Sequence, residues 1–362
     1  MINNIVIYLL FLILIIVLLG PLISRRIEKN LEIFFLIIGF LAALVSGAIS
    51  YNLIKEAFLS PLIIHNVPIG IFEVVLIAGL IFEKYRYNLE NIMESITKKI
   101  HGSILFAMLV FILGIGSSII SAILASVIIA EMASIIKIPS KIKNILLIIS
   151  AYSIGLGASL LPIGEPLTTI LIIKLSGEPY YANFFFAFFL LYDYVIPIIL
   201  FLSIFAFYIW KKFEKNNLKD KYENFDFSNS NEKHEYKFAI ERAIKIYIFV
   251  FALTLLGNSF NLIVNKYIIY LSPQLMYLFG SVSAFLDNAT LTAAIISPNM
   301  STVQIKSFII SLLISGGFLI PGNVPNIVIA YTHKINFRKW AKIALPIGLP
   351  IYAAIFLIIF IF

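Results

Sequence analysis

Phe285-Leu286-Asp287-Asn288-Ala289-Thr290-Leu291-Thr292 sets a carboxylate, an amide and two hydroxyls into otherwise apolar sequence. Charge at bilayer depth is costly and faces a cavity or a partner. A second polar knot follows at Gly316-Gly317-Phe318-Leu319-Ile320-Pro321-Gly322-Asn323-Val324-Pro325-Asn326. Its glycines and prolines fall in the middle of a membrane-length segment, where a continuous helix cannot persist. The two interruptions read as facing each other and binding an ion.

Composition supports that setting. Of 362 residues, 61% are apolar and 13% charged, where soluble domains carry about half and about a quarter. The chain reads as an all-α polytopic membrane protein whose main partner is the lipid bilayer. Without cysteine it has neither disulfides nor thiolate metal sites. No histidine stands in the four interrupted segments, so zinc or copper is not expected there. The net charge of +8 calls for no nucleic acid, because Lys and Arg gather at the ends of apolar segments, as orientation requires.

About 20 apolar residues span a bilayer as a helix. Residues 5–23 and 31–49 qualify, 67–82 is marginal, and 84–101 reads as an amphipathic surface helix. Residues 5–23 have no positive residue before them and Arg25-Arg26 after them, the reverse of a secretory signal. They read as a retained helix with the N-terminus outside. Apolar stretches follow at 102–137, 143–175, 184–210, 240–258, 273–298, 304–332 and 341–361. Four regions result: N-terminal helices (1–66), a first repeat (67–210), a charged cytoplasmic linker (211–238) and a second repeat (239–362). With 102–137 and 273–298 as re-entrant hairpins, every Lys and Arg except Lys55, Lys174, Lys266 and Lys306 falls on one side, 27 − 4 = 23 in all. That side is the cytoplasm, and both termini lie outside a plasma membrane.

An internal repeat agrees. Pro162-Ile163-Gly164-Glu165-Pro166 has the proline spacing of Pro321-Gly322-Asn323-Val324-Pro325, an offset of 321 − 162 = 159. Ser121-Ala122 to Ser126 aligns with Ser283-Ala284 to Asn288 at 162. Each half reads as helix, re-entrant hairpin, discontinuous helix, helix, and the two insert in opposite senses. Inverted-topology repeats of this kind build midplane sites in secondary transporters.

The candidate ion- or substrate-binding set is Asp287, Asn288, Thr290, Asn323 and Asn326 from the second half, with Glu165, Ser126, Ser159 and Thr168 from the first. These are hard oxygen donors, suited to Na⁺ rather than a soft metal, with Asp287 the direct ligand. A proton and a cation compete for a buried carboxylate, so Asp287, seconded by Glu165, is expected to couple Na⁺ to H⁺. Glu73, Glu131 and Asp193 are further acidic positions in apolar sequence.

Asp287-Asn288-Ala289-Thr290 and the run from Gly317 to Asn326 resemble the hairpin-tip and broken-helix motifs of the ion transporter superfamily. That group holds arsenite permeases, Na⁺/H⁺ antiporters and sodium-coupled dicarboxylate carriers. Over residues 67–362 the chain most resembles a small archaeal and bacterial family classed as cation transporters. The resemblance implies a binding site for coupling ion and substrate at these positions. Ala125-Ser126, aligned with the polar tip Asp287-Asn288, departs from a symmetric two-sodium site.

The expected function is Na⁺/H⁺ antiport by alternating access, with small inorganic ions as partners and no enzyme activity or cofactor. A homodimer is compatible with a carrier of this type. The alternative is a sodium- or proton-coupled carrier of arsenite or a carboxylate, with helix N-termini neutralising the anion. An intramembrane aspartyl protease is a distant third, since the Gly-x-Gly-Asp partner of Tyr192-Asp193 is absent.

Overall fold

The computed structural model describes all residues except 1–3, 25, 28–29, 64–69, 78, 82–83, 86–87, 89–100, 137, 218–235, 268–270, 287 and 362. The surface helix expected at 84–101, most of the linker and Asp287 fall largely or wholly outside the described residues.

The first half begins with α1 (Asn4–Ile23), α2 (Leu31–Ser46) and the short α3 (Tyr51–Leu59). Then come α4 (Gly102–Ile120), α5 (Ala122–Ile135), α6 (Ser140–Ala158), α7 (Pro166–Lys174) and α8 (Phe186–Asn217). The second half holds α9 (Tyr236–Tyr267), α10 (Pro273–Gly280), α11 (Asn288–Ile295), α12 (Thr302–Gly316), α13 (Val324–Thr332) and α14 (Phe337–Phe360). Short 3₁₀ turns at Ser281–Ala284 and Ile320–Gly322 complete it.

Local chemistry sets many of these ends. Gly47 stops α2 at φ 69°, a conformation that suits glycine. Ser301 and Gln304 form a reciprocal capping box on α12, which satisfies two amides the helix leaves unpaired. α8 and α9 invade the expected linker from both sides, through 211–217 and 236–238. The lysines and glutamate at 211–217 are good helix formers, and no glycine or proline interrupts them.

Among the described residues four helices, α4, α6, α14 and the stretch Phe186–Lys215 of α8, are long and apolar enough to cross a membrane. Burial differs sharply between them: 78% of the α6 span lies inside the protein against 22% for α14. α6 is therefore the central post, and α14 presents its flank outward.

Helix pairings recur in the two halves. α4, α5 and α8 each pack on α6, while α10, α11 and α14 each pack on α12. The halves also exchange contacts: α5 lies on α13, and α11 lies on α7. Close approach within each half relies on missing side chains. A Cβ on Gly157 would collide with the carbonyl of Gly114, so α4 and α6 touch backbone to backbone. Tyr152 of α6 locks the halves together. Its ring fills the space a Cβ on Gly317 would need, and its hydroxyl donates to Ala344 O of α14 at 3.0 Å.

Candidate functional site

Helical structure is interrupted between α6 and α7, at residues 159–165, and between α12 and α13, at residues 317–323. Their backbone hydrogen bonds coincide at an offset of 158. Ser159 N bonds Leu156 O as Gly317 N bonds Ile314 O, and Gly164 N bonds Leu161 O as Gly322 N bonds Leu319 O. Glu165 and Asn323 are then equivalent, each the extended residue before a half-helix, at φ −155°, ψ 156° and φ −155°, ψ 144°. This corrects the offset of 159 read from the prolines. Pro166 is the first residue of α7 but Pro325 is the second of α13. Either place tolerates proline, because first-turn amides have no intrahelical partner.

The segment before each break recurs at 166 instead. Ser117 Oγ donates to Ile154 O at 3.0 Å, and Ser283 Oγ to Leu312 O at 2.7 Å. A Cβ on Gly114 would strike Ser153 Oγ, and one on Gly280 would strike Ser311 Oγ. The first turn therefore lies at Ser121, not at Ala125-Ser126. Ser121 adopts φ 78°, ψ 150°, a region that costs a non-glycine residue about 1–3 kcal/mol. Asp287 is its counterpart in sequence.

One cavity of about 580 Å³ unites these parts. Its walls include Ser121 and Ala122 from the first turn, Glu165 and Pro166 from the first break, Asn288 and Ala289 from α11, and Asn323 and Val324 from the second break. The N-terminal ends of α5, α7, α11 and α13 thus all reach it. A fifth wall comes from α9, through Thr254 and Asn258. Thr254 Oγ1 shares a 2.7 Å hydrogen bond with Ser60 Oγ, and Asn258 Nδ2 donates to Thr254 O at 3.1 Å. The exposed Glu56 and Lys174 mark the mouth.

Of the sequence candidates, Glu165, Asn288 and Asn323 line this cavity. Asn323 lies against α6, where a Cβ on Gly155 would collide with its amide. Asn326 stands behind the second break and braces it, donating from Nδ2 to Gly316 O at 2.7 Å and Leu319 O at 2.8 Å. Thr168, its equivalent, donates to Ser159 O at 2.8 Å. Ser126 and Ser159 are buried away from the cavity and give their hydroxyls to Ala122 O and Leu156 O of their own helices. Thr290 lies in α11 and its side chain is outside the described set, as is Asp287.

The amide of Asn288 is the most telling group. The residue is 4% exposed, and neither Oδ1 nor Nδ2 has a hydrogen-bond partner; Asn326 Oδ1 is likewise without one. Each such buried atom costs about 1–3 kcal/mol.

The remaining acidic positions lie elsewhere. Glu73 Oε2 accepts from Gly70 N at 2.9 Å as a helix-start contact. Asp193 Oδ2 pairs with Lys306 Nζ at 2.9 Å, and Glu131 is buried in α5. Sequence reasoning missed Ser121, Ser60, Thr254 and Asn258. The repeated Gly-x-x-Ser of Gly114–Ser117 and Gly280–Ser283 could have located the first turn.

A comparison with curated proteins finds no match. A family model does match, over residues 7–362, and its description is "Protein of unknown function (DUF1646)". The chain belongs to that DUF1646 family.

Proposed function

We propose that the protein is a secondary ion transporter of the cell membrane, of the ion transporter superfamily, exchanging Na⁺ for protons by alternating access. The observation that carries this reading is the shared cavity, where two helix breaks and two turns meet around Glu165, Asn288 and Asn323. Recurrent pairings within the halves, with offsets of 158 and 166, support an inverted-topology repeat. α10 and α11 have eight residues each, about 12 Å at 1.5 Å per residue. That is well short of a bilayer core of about 30 Å and supports a re-entrant hairpin. α5, at 14 residues, supports the same reading in the first half, although its partner α4 is long enough to cross.

In this mechanism Glu165 and Asp287 are the coupling carboxylates. A cation held at the carboxylate favours its ionised form, and a proton displaces the cation. Glu56 and Lys174 at the mouth belong to the face the charge pattern places outside, which supports an outward-open state. α5 packed on α13 closes the opposite side, aided by His333 Nε2 against Ala130 O at 2.8 Å and Tyr331 OH donating to Glu32 Oε2 at 3.2 Å.

One observation favours a second reading. Four helix N-termini reach the cavity, and such ends attract anions, so a cation-coupled anion carrier is the alternative. Proteoliposomes loaded with a pH-sensitive dye distinguish the two. Na⁺ or Li⁺ should discharge an imposed pH gradient without arsenite or citrate, with less Na⁺ needed as pH rises. Antiport that survives both Glu165→Gln and Asp287→Asn would remove the coupling role.

A further inference from the structure

α14 carries two unlike faces. The inner one is tied to the rest of the protein. Trp340 Nε1 donates to Gly317 O of the second break at 3.2 Å, Ala344 O accepts from Tyr152 OH, and a Cβ on Gly348 would strike Tyr152 and Phe318. These three positions are four residues apart and so share one side of the helix.

A second face holds a surface hollow of about 530 Å³, lined by Arg338, Ala341, Lys342, Leu345 and Pro346. Their spacing of i, i+3, i+4, i+7 and i+8 is that of one helical stripe. The stripe is sorted by chemistry. Both cations stand near the start of α14, the end that the charge pattern reads as cytoplasmic, and the apolar pair lies one turn further along. Ala341, 5% exposed, gives the floor only a methyl group. Among the described residues no Asp or Glu lines the hollow. The stripe continues from Leu345 through the exposed Leu349, Ala353 and Leu357, and residues 343–362 carry no charge. Leu345 to Leu357 is 357 − 345 = 12 residues, about 18 Å at 1.5 Å per residue. One leaflet of a bilayer core about 30 Å thick is of that length.

We infer that this hollow binds an anionic phospholipid of the cytoplasmic leaflet, its phosphate between Arg338 and Lys342 and an acyl chain along Leu345, Leu349 and Leu357. Charge complementarity selects the headgroup: a guanidinium matches phosphate oxygens two at a time, and the lysine adds a compact charge. Basic pockets beside membrane helices on the cytoplasmic side take such headgroups. The apolar stripe selects a lipid over free phosphate, which would use the cations and leave the leucines uncovered. The bound lipid lies one helix away from Gly317 O and the second break. The inference goes beyond the transport reading and does not depend on it.

The test is native mass spectrometry of the purified full chain in detergent, titrated with phosphatidylglycerol or with phosphatidylcholine of the same acyl chains. Phosphatidylglycerol should bind at least tenfold more tightly. Lys342→Gln changes an exposed side chain and should weaken it about fivefold; with Arg338→Gln added, the loss should reach roughly thirtyfold. Lys339→Gln removes the same charge from an exposed neighbour that does not line the hollow, and binding should change less than twofold. Equal affinity for the two lipids in the wild-type chain would overturn the inference. So would a Lys339→Gln loss as large as that of Lys342→Gln, which would mean diffuse surface charge in place of a site. Inorganic phosphate that displaces the lipid at equal concentration would also overturn it, by making the ligand a free anion. Circular dichroism and melting temperature of each variant separate lost binding from lost folding, and unchanged phosphatidylglycerol affinity in a folded Lys342→Gln protein would refute the assignment.

Discussion

Replacing Gly155 with alanine asks whether Asn323 serves the cavity. Gly155 lies in the buried middle of α6, and a methyl group there would fall 2.1 Å from Asn323 Nδ2 and 3.1 Å from its Cγ. Non-bonded heavy atoms settle near roughly 3.5 Å, so the amide has to retreat by about 1.4 Å. The helix itself gains, since alanine is favoured over glycine by about 0.5–1 kcal/mol in a helix interior. Fold and function should therefore move in opposite directions. Losing one polar contact to an ion costs about 1.5–3 kcal/mol, equivalent to about a 10- to 150-fold rise in the Na⁺ concentration for half-maximal exchange. The assay is Na⁺-driven discharge of a pH gradient in proteoliposomes, normalised to inserted protein, with melting temperature measured in detergent. Gly116→Ala is the control, because a Cβ there meets nothing within 4 Å. A Gly155→Ala protein with wild-type half-saturation would refute the role given to Asn323.

Three further outcomes are expected. Asn326→Leu strips the side-chain donor from two buried carbonyls, Gly316 O and Leu319 O, at about 1–3 kcal/mol each; the melting temperature should fall clearly, and an unchanged value would show that the second break needs no brace. Tyr152→Phe removes only the bond to Ala344 O, so a modest loss of about 1 kcal/mol with exchange intact is expected in thermal melts and flux. Asp193→Asn breaks a partly exposed ion pair with Lys306 that contributes at most about 1 kcal/mol; transport should hold, and a tenfold fall would bring Asp193 into the mechanism.

The breaks themselves were readable, because glycine and proline inside apolar runs leave few alternatives to an opened helix. Their register was not. Prolines aligned the halves one residue out, since the first and second positions of a half-helix accept proline equally well. The first turn was placed four to five residues late for a related reason. Ser121 resembles Ser283 by its neighbours, but hydrogen bonding pairs Ser283 with Ser117. That the chain forms helices long and apolar enough to cross a membrane followed from composition, and no packing knowledge was needed for it. The wall from α9 was out of reach: Thr254 meets Ser60 across 194 positions, and two small polar residues inside a long apolar helix carry no local sign of what they face. Likewise Ser126 and Ser159 looked like ligands because hydroxyls at breaks do, yet a hydroxyl in a helix often returns its proton to the preceding turn.

The exchange of contacts between halves also bears on how the chain is made. α5 ends at Ile135 and its cover, α13, begins at Val324, which is 324 − 135 = 189 positions later. At a synthesis rate of about 5–20 residues per second, the surface of α5 waits roughly 10–40 s for its mate to leave the ribosome. During that interval the insertion machinery or a chaperone has to shelter it, so the nascent first half is the stage at which quality control can most readily intercept this protein.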